Sequence, residues 1–279
     1  MKCAWDKLLA LLPAWMQLSV DEQGKDTLQE LRLRLNRPPE LICQGGNRTL
    51  GRKVLPEDLK YCINAASRYS PWTAASAAKG YITAAGGHRI GLCGEAVIHN
   101  GGMTGIRTPT SLCIRVARDF PGIAKEAAII KGSILILGKP GSGKTTLLRD
   151  LIRQRSEMGE NVSVVDERGE LFPEDFFQPG KRTDVITGCS KAQGIDSVLR
   201  TMGPDCVAVD EITAKEDCEA LLQAGWCGVK LLATAHAASR KDLLSRPVYR
   251  PLAQSKIFET VLVLQQDKSW KAERIAYEY

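Results

Sequence analysis

The sequence predicts an α/β protein of two domains, a small α+β domain over residues 1–122 and a parallel-sheet domain with a phosphate-binding loop over 123–279. Three observations predict it. Beyond Gly132, short apolar runs alternate with helical stretches, the strand, helix, strand rhythm that builds a parallel sheet. The first run, ILIL at 134–137, passes directly into GKPGSGKT, and the octet Gly138 to Thr145 fits G-x-x-x-x-G-K-[ST] at every fixed position. Before Gly132 the pattern changes to apolar stretches broken by glycine turns, GYITAAGGHRIGLCGEAVIHNGGMTGIRTPTSLCIRVAR, which predicts an antiparallel meander.

Each element has a local chemical cause. MKCAWDKLLALLPAWM reads as an amphipathic helix for core or partner contact, with a membrane-surface contact as the other reading; Asp6 and Lys7 interrupt its apolar stretch and no small-residue cleavage site comes after it. Residues 26–46 begin helically and pass into the alternation 31–35, a strand with Arg32 and Arg34 on one face, then a Pro38-Pro39 break and a second short strand. Pro56, followed by Glu57 and Asp58 in the first turn, opens a helix over 56–69. Residues 121–132 read as a connecting helix and turn. Strands are predicted at 133–137, 162–166, 206–210 and 229–234, helices at 144–157, 195–202 and 218–224, and a terminal hairpin turning at 267–269.

Composition narrows the function classes. Of 279 residues, 44% are hydrophobic and 25% charged, as in a soluble globular protein, and no apolar run approaches the ~18 residues of a membrane span. Nine cysteines, odd in number and without a C-x-x-C pair, read as reduced thiols of a cytosolic protein; His88, His99 and His236 stand near no cysteine pair, so a structural zinc site is not expected. The net charge of +6 permits contact with nucleic acid or acidic lipid without demanding it. No RNP-type aromatic pair, zinc finger or dense Lys/Arg tract is present.

The loop predicts a nucleoside triphosphate site. Gly138, Gly141 and Gly143 can take backbone angles closed to other residues, so that the N–H groups of the segment running through Pro140 and Ser142 to Thr146 turn inward around phosphate oxygens at a helix N-terminus. Lys144 would reach the β/γ-phosphates and Thr145 the Mg²⁺. The run CVAVDE ends a buried strand in two carboxylates, so Asp210 can hold Mg²⁺ through water while Glu211 polarises the attacking water. Two other strands end in polar residues facing the same crevice. Glu167 and Glu170 read equally as loop acids or as water- or metal-positioning groups, and His236 as a surface residue or a reporter of the γ-phosphate.

In order, GKPGSGKT, VVDERGE, LRTMGPDCVAVDEI and ATAH resemble the Walker A, Asp box, Walker B and His box of the type II/type IV secretion and pilus-motor ATPases, a RecA-like P-loop family. In the first half, ELRLRLNRPPEL, GGHRIGLCGEA and SLCIRVAR are similar to a sporulation branch, the stage III AA family, associated with the channel between mother cell and forespore in endospore-forming bacteria. The resemblance implies a RecA-like C-terminal fold, ATP and Mg²⁺ as cofactors, and a cytoplasmic ATPase, peripheral at the mother-cell membrane, that powers or assembles a membrane-embedded secretion channel. It aligns Glu211 with the catalytic glutamate, and Arg200 and Asp205 with the stretch before it. It also implies a ring of identical subunits, a hexamer, in which a basic residue of the first domain completes a neighbour's site; Arg89, Arg107, Arg115 and Arg118 are the candidates, Arg89 and Arg115 foremost. Asp210 departs from the pattern, standing where many secretion ATPases have glycine, and there is no four-cysteine zinc module. The alternative is a RecA-like nucleic-acid-dependent ATPase or binding module.

Overall fold

Alternation along residues 31–34 places Leu31 and Leu33 on a buried face and Arg32 and Arg34 on an exposed one, an irregularity between Leu28 and Glu30 leaves Leu28 buried as well, and a sheet grows around that strand. The computed structural model describes residues 1–67, 80–173, 176–265 and 267–274. The chain divides into two compact units, residues 1–119 with 173–176, and 120–172 with 177–279.

In the first unit the described strands are β1 (Leu28–Arg34), β2 (Glu40–Cys43), β3 (Gly46–Thr49), β4 (Tyr81–Thr83), β5 (Arg89–His99) and β6 (Gly102–Arg115). They form an antiparallel sheet in the order β3-β2-β1-β6-β5-β4, so the meander predicted from the glycine turns is present as β4, β5 and β6. One face packs Leu31, Leu33, Leu41, Ile90 and Ile114 against Leu8, Leu12, Met16 and Leu59 of helices α1 (Trp5–Ala10), α2 (Ala14–Asp21) and α3 (Pro56–Ser67) and the turn between the first two. Two expectations are corrected. The N-terminal helix is two helices, because Pro13 cannot continue the first, and its apolar residues Leu8, Leu11, Leu12 and Met16 are core. Residues 26 and 27 do not begin a helix: they lie in a turn, and the register of β1 with β2 starts at Leu28, which is buried in the same core as Leu31. Residues 68 and 69 of the predicted third helix lie outside the described residues.

His88 has no exposed surface and is held neutral. Its Nδ1 accepts from the Ala117 N–H at 3.1 Å, so Nε2 carries the proton and donates to the Ala4 carbonyl at 3.0 Å. Burial pushes its pKa below the ordinary 6.5, partly opposed by the Ala4 carbonyl. The unfolded chain therefore takes up this proton more readily, and stability present above pH 6.5 is lost as pH falls through that value towards the depressed folded one. Thermal unfolding at pH 7.5 and 5.0 is expected to show a lower Tm at pH 5.0, with a smaller pH difference in His88→Gln. An equal difference in both proteins would remove His88 as the cause.

In the second unit the order is β13-β12-β7-β11-β10-β8-β9, with β7 (Ile134–Leu137), β8 (Val162–Asp166), β9 (Thr183–Thr187), β10 (Cys206–Val209), β11 (Lys230–Ala235) and β12 (Thr260–Leu264) parallel and β13 (Trp270–Arg274) antiparallel at one edge. Helices α4 (Lys125–Ala128) and α5 (Lys144–Glu157) cover one face; α6 (Lys191–Thr201), α7 (Lys215–Trp226), α8 (Arg240–Ser245) and α9 (Arg250–Ser255) cover the other. The parallel sheet, α5, β8 and the terminal hairpin are as the sequence predicts. Helix α6 starts earlier than expected because Ser190 and Gln193 form a capping box. Strand β9 and helices α8 and α9 carry no prediction. Among the described residues no helix is long and apolar enough to cross a membrane.

Candidate functional site

In the sheet order β7-β11-β10, neighbouring strands lie ~4.8 Å apart, so the segments leaving their carboxyl ends meet within ~10 Å. Those segments are the glycine-rich loop after β7, His236 after β11, and Asp210-Glu211 after β10. Gly141 and Gly143 stand at φ +74° and +100°, with Gly143 the left-handed residue from which α5 starts. Gly138 differs from the sequence reading: it does not take a positive φ, and its need is for space, because a Cβ there would strike Ser142 Oγ and crowd Leu264 Cβ at 3.3 Å. Ser142 is buried, and its Oγ has no hydrogen-bond partner among the described residues. Pro140 is exposed and Thr146 half-buried in the first turn of α5.

Lys144 is 6% exposed, and its ammonium donates to the carbonyls of Gly138 and Lys139 at 3.0 and 3.2 Å and to His236 Nδ1 at 2.9 Å. Since an ammonium only donates, Nδ1 accepts and the imidazole proton sits on Nε2, 2.7 Å from Glu211 Oε1. Burial lowers the Lys144 pKa, opposed by the charges of Glu211 and Asp210. Thr145 Oγ1 donates to the Asp210 carboxylate at 3.2 Å, and Thr234 Oγ1 donates to it at 3.1 Å. One hydrogen-bonded array thus joins Gly138, Lys144, His236 and Glu211, and a second joins Thr145, Asp210 and Thr234.

Beside these acids lies a cleft lined by Asp166, Glu167, Glu170, Lys191, Asp210, Glu211 and neighbours. Glu167 is paired with Lys191 at 2.7 Å. Asp166, Arg149 and Lys191 are absent from the sequence-predicted set. The buried Asp166 carboxylate accepts the main-chain N–H groups of Glu170, Leu171 and Phe172 at 2.8, 2.8 and 3.1 Å. Burial pushes its pKa up to about 6 against the pull of the Phe172 and Leu171 N–H groups. Arg149 of α5 donates to the Leu171 and Glu170 carbonyls, fastening the same loop from the other side. A strand ending in an acid hints at Asp166; Arg149 leaves no local signal.

The arginine candidates belong to the first unit. Arg89 lies over the Tyr81 ring, 4.2 Å from its centroid, and Arg115 stands 3.5 Å from Glu30. The two are cross-strand partners in the β5–β6 register. Arg107 pairs with Glu95 at 2.9 Å. Arg118 donates to the main-chain carbonyls of Lys25 and Leu28, so within this unit it fastens the chain ahead of β1.

Known proteins share both the sequence and the fold of this chain. The family model described as sporulation stage III, protein AA matches residues 7–278. Stage III sporulation protein AA of Bacillus subtilis (strain 168) is 38% identical over 266 residues, 89% of this chain and 86% of that protein. Putative type II secretion system protein E of Escherichia coli (strain K12) is 33% identical over 115 residues, 41% of this chain and 23% of that protein. Among solved structures, the Legionella pneumophila ATPase DotB superposes with a TM-score of 0.60 at 18% identity, covering 94% of this chain and 80% of DotB. The pilus retraction motor PilT with bound ADP gives 0.58 at 16% identity, covering 88% and 76%. These two structures share the fold. The extent of the family match and the identity to the Bacillus relative establish that the chain belongs to the sporulation stage III, protein AA family.

Proposed function

We propose that the chain is a Mg²⁺-dependent ATPase that binds the triphosphate of ATP in the loop 138–145 and hydrolyses it with Glu211. The observation that supports this best is the convergence of Lys144, Thr145, Asp210, Glu211 and His236 at the ends of three adjacent strands. The residues fit the cofactors. Ser142 Oγ is a buried polar atom without a partner among the described residues, inside the loop that would hold phosphate oxygens. Thr145 Oγ1 and the Asp210 carboxylate supply hard oxygens 3.2 Å apart. Mg²⁺ takes one or two protein oxygens beside phosphates and water, so it needs no cluster of three acidic or imidazole groups, and none occurs among the described residues. When bound, Mg²⁺ neutralises charge on the β- and γ-phosphate oxygens.

The side chains divide the remaining work. Lys144 exchanges carbonyl partners for β/γ oxygens. Glu211 orients and deprotonates the attacking water, with the His236 Nε2–H holding its carboxylate. His236 also touches Lys144, so a change at the γ-phosphate passes through one imidazole to the catalytic acid. Glu167, held by Lys191, faces the same cleft as a second water- or metal-positioning acid.

The chain acts in this reading as a ring of identical subunits, a hexamer, with Arg89 or Arg115 completing a neighbour's site. It works on the cytoplasmic side of the mother-cell membrane, powering or assembling a membrane-embedded secretion channel of endospore formation. Family membership and the fold shared with DotB and PilT support this. ATPase rate per subunit is expected to fall on dilution. Arg89→Ala or Arg115→Ala, whichever supplies the trans cation, is expected to lower kcat about 10³-fold, the scale of a lost arginine finger. A rate per subunit that stays constant down to the monomer rules out a shared site. Strong stimulation by single-stranded DNA would favour a nucleic-acid motor instead.

A further inference from the structure

The loop 138–145 is touched by a residue outside its motif. The terminal hairpin β12–β13 turns with the Gln265 N–H donating to the Ser269 carbonyl at 2.8 Å and the Lys268 N–H donating to the Gln265 carbonyl at 3.2 Å. Lys268 stands in the left-handed region at φ +70°. That place in a hairpin suits glycine, which has no Cβ to strain the backbone, and a lysine there is an outlier that calls for a compensating contact.

The contact is with the glycine-rich loop. Lys268 Nζ donates to the Gly141 carbonyl at 2.7 Å, between residues 127 positions apart in sequence. Across the same peptide group the Ser142 N–H donates to the Lys139 carbonyl at 3.2 Å. Carbonyl and N–H of a trans peptide point in opposite directions, so the 141–142 peptide plane is held from both sides. Leu264, at the start of the turn, closes on Gly138, and Trp270 beyond it packs on the core layer beneath α5. The hairpin is therefore anchored on the body of the sheet, and its turn reaches back to the tip of the loop.

We propose that Lys268 is a positioning residue for polyphosphate binding: by fixing the Gly141 carbonyl it sets the curvature in which the next N–H groups, from Gly143 to Thr145, converge on phosphate. This inference rests on the nucleotide reading of the loop. A charge-assisted hydrogen bond to a carbonyl is stronger than a neutral one, and a loop already in its bound shape spends less of its binding energy on ordering.

The test is titration of the full chain with Mg²⁺ and the slowly hydrolysed analogue ATPγS, beside thermal unfolding of each variant. Lys268→Gly is expected to weaken binding about tenfold while Tm stays level or rises, because glycine relieves the left-handed strain. Lys268→Arg is expected to retain most of the affinity. A purely structural contact would lower Tm and leave affinity unchanged. Should Lys268→Gly fail to fold, Lys268→Asn, which also tolerates the left-handed region, carries the same expectation. The proposal is overturned if the variant binds ATPγS as tightly as wild type, or if arginine binds no better than glycine. If wild type and Lys144→Ala bind equally weakly, the nucleotide reading itself fails; if wild type binds and Lys268→Gly equals it, only the role of Lys268 fails.

Discussion

Glu211→Gln is expected to bind ATP with near wild-type affinity and to hydrolyse it about 10²–10⁴-fold more slowly, the range lost when a general base is removed. The geometry isolates that chemical change. His236 Nε2–H donates to Glu211 Oε1 at 2.7 Å, and an amide oxygen accepts the same bond, so the side chain keeps its place while losing the capacity to take a proton from water. Neither Lys144 nor Thr145 is bonded to Glu211, so the loop and the Asp210 pair stay as they are. Single-turnover hydrolysis and a separate binding titration check it. Wild-type turnover in Glu211→Gln would remove Glu211 from catalysis and leave the array at Asp210 and Thr145 as a binding device.

Lys144→Ala is expected to lose most of its affinity for ATP, about 100-fold or more, with AMP affinity much less affected because the ammonium serves the β/γ-phosphates. A buried ammonium with two carbonyl partners and one imidazole is costly to keep, as its lowered pKa records, and Glu211 and Asp210 offset part of that cost. Because the pKa is lowered, the ammonium gives up its proton at a pH below the ordinary 10.5, and wild-type affinity is expected to fall as pH rises towards that value. Binding of ATP and AMP to wild type and variant, measured at pH 7.5 and 9.5, checks both statements. Equal loss of ATP and AMP would point to a collapsed loop rather than a lost phosphate contact, and a circular dichroism melt separates the two.

How far the chain could be read in advance depends on how local each signal is. Helix α5 is legible to the residue because the glycine-rich loop that follows an apolar run fixes its start, and strand β8 because its buried run ends in the acid Asp166. Strand β9 is not, because an edge strand of Thr183–Thr187 has mostly wet side chains and no alternation to betray it. Helices α8 and α9, six residues each, are too short for a period to register. The N-terminal segment reads as one amphipathic helix because its apolar residues share a period, and only the break at Pro13 and the packing of Leu8 and Met16 on one core make it two.

The site divides the same way. Lys144, Thr145, Asp210 and Glu211 announce themselves because each belongs to a contiguous motif whose spacing has a mechanical reason. Lys268, Arg149 and Lys191 do not, since Lys268 meets Gly141 across 127 positions, Arg149 meets Leu171 across 22 and Lys191 meets Glu167 across 24.

The parallel-sheet architecture, the phosphate loop and the acids that end β10 are written in short stretches of chain, because backbone freedom at glycine and burial of apolar runs act between neighbours. Strand order is not written there. That β11 lies between β7 and β10, and with it that His236 bridges Lys144 and Glu211 and that a hairpin lysine holds the loop from outside, emerges only in three dimensions. Strand order is set by the packing of two helical layers on one sheet, a sum over distant contacts that no short stretch of sequence contains.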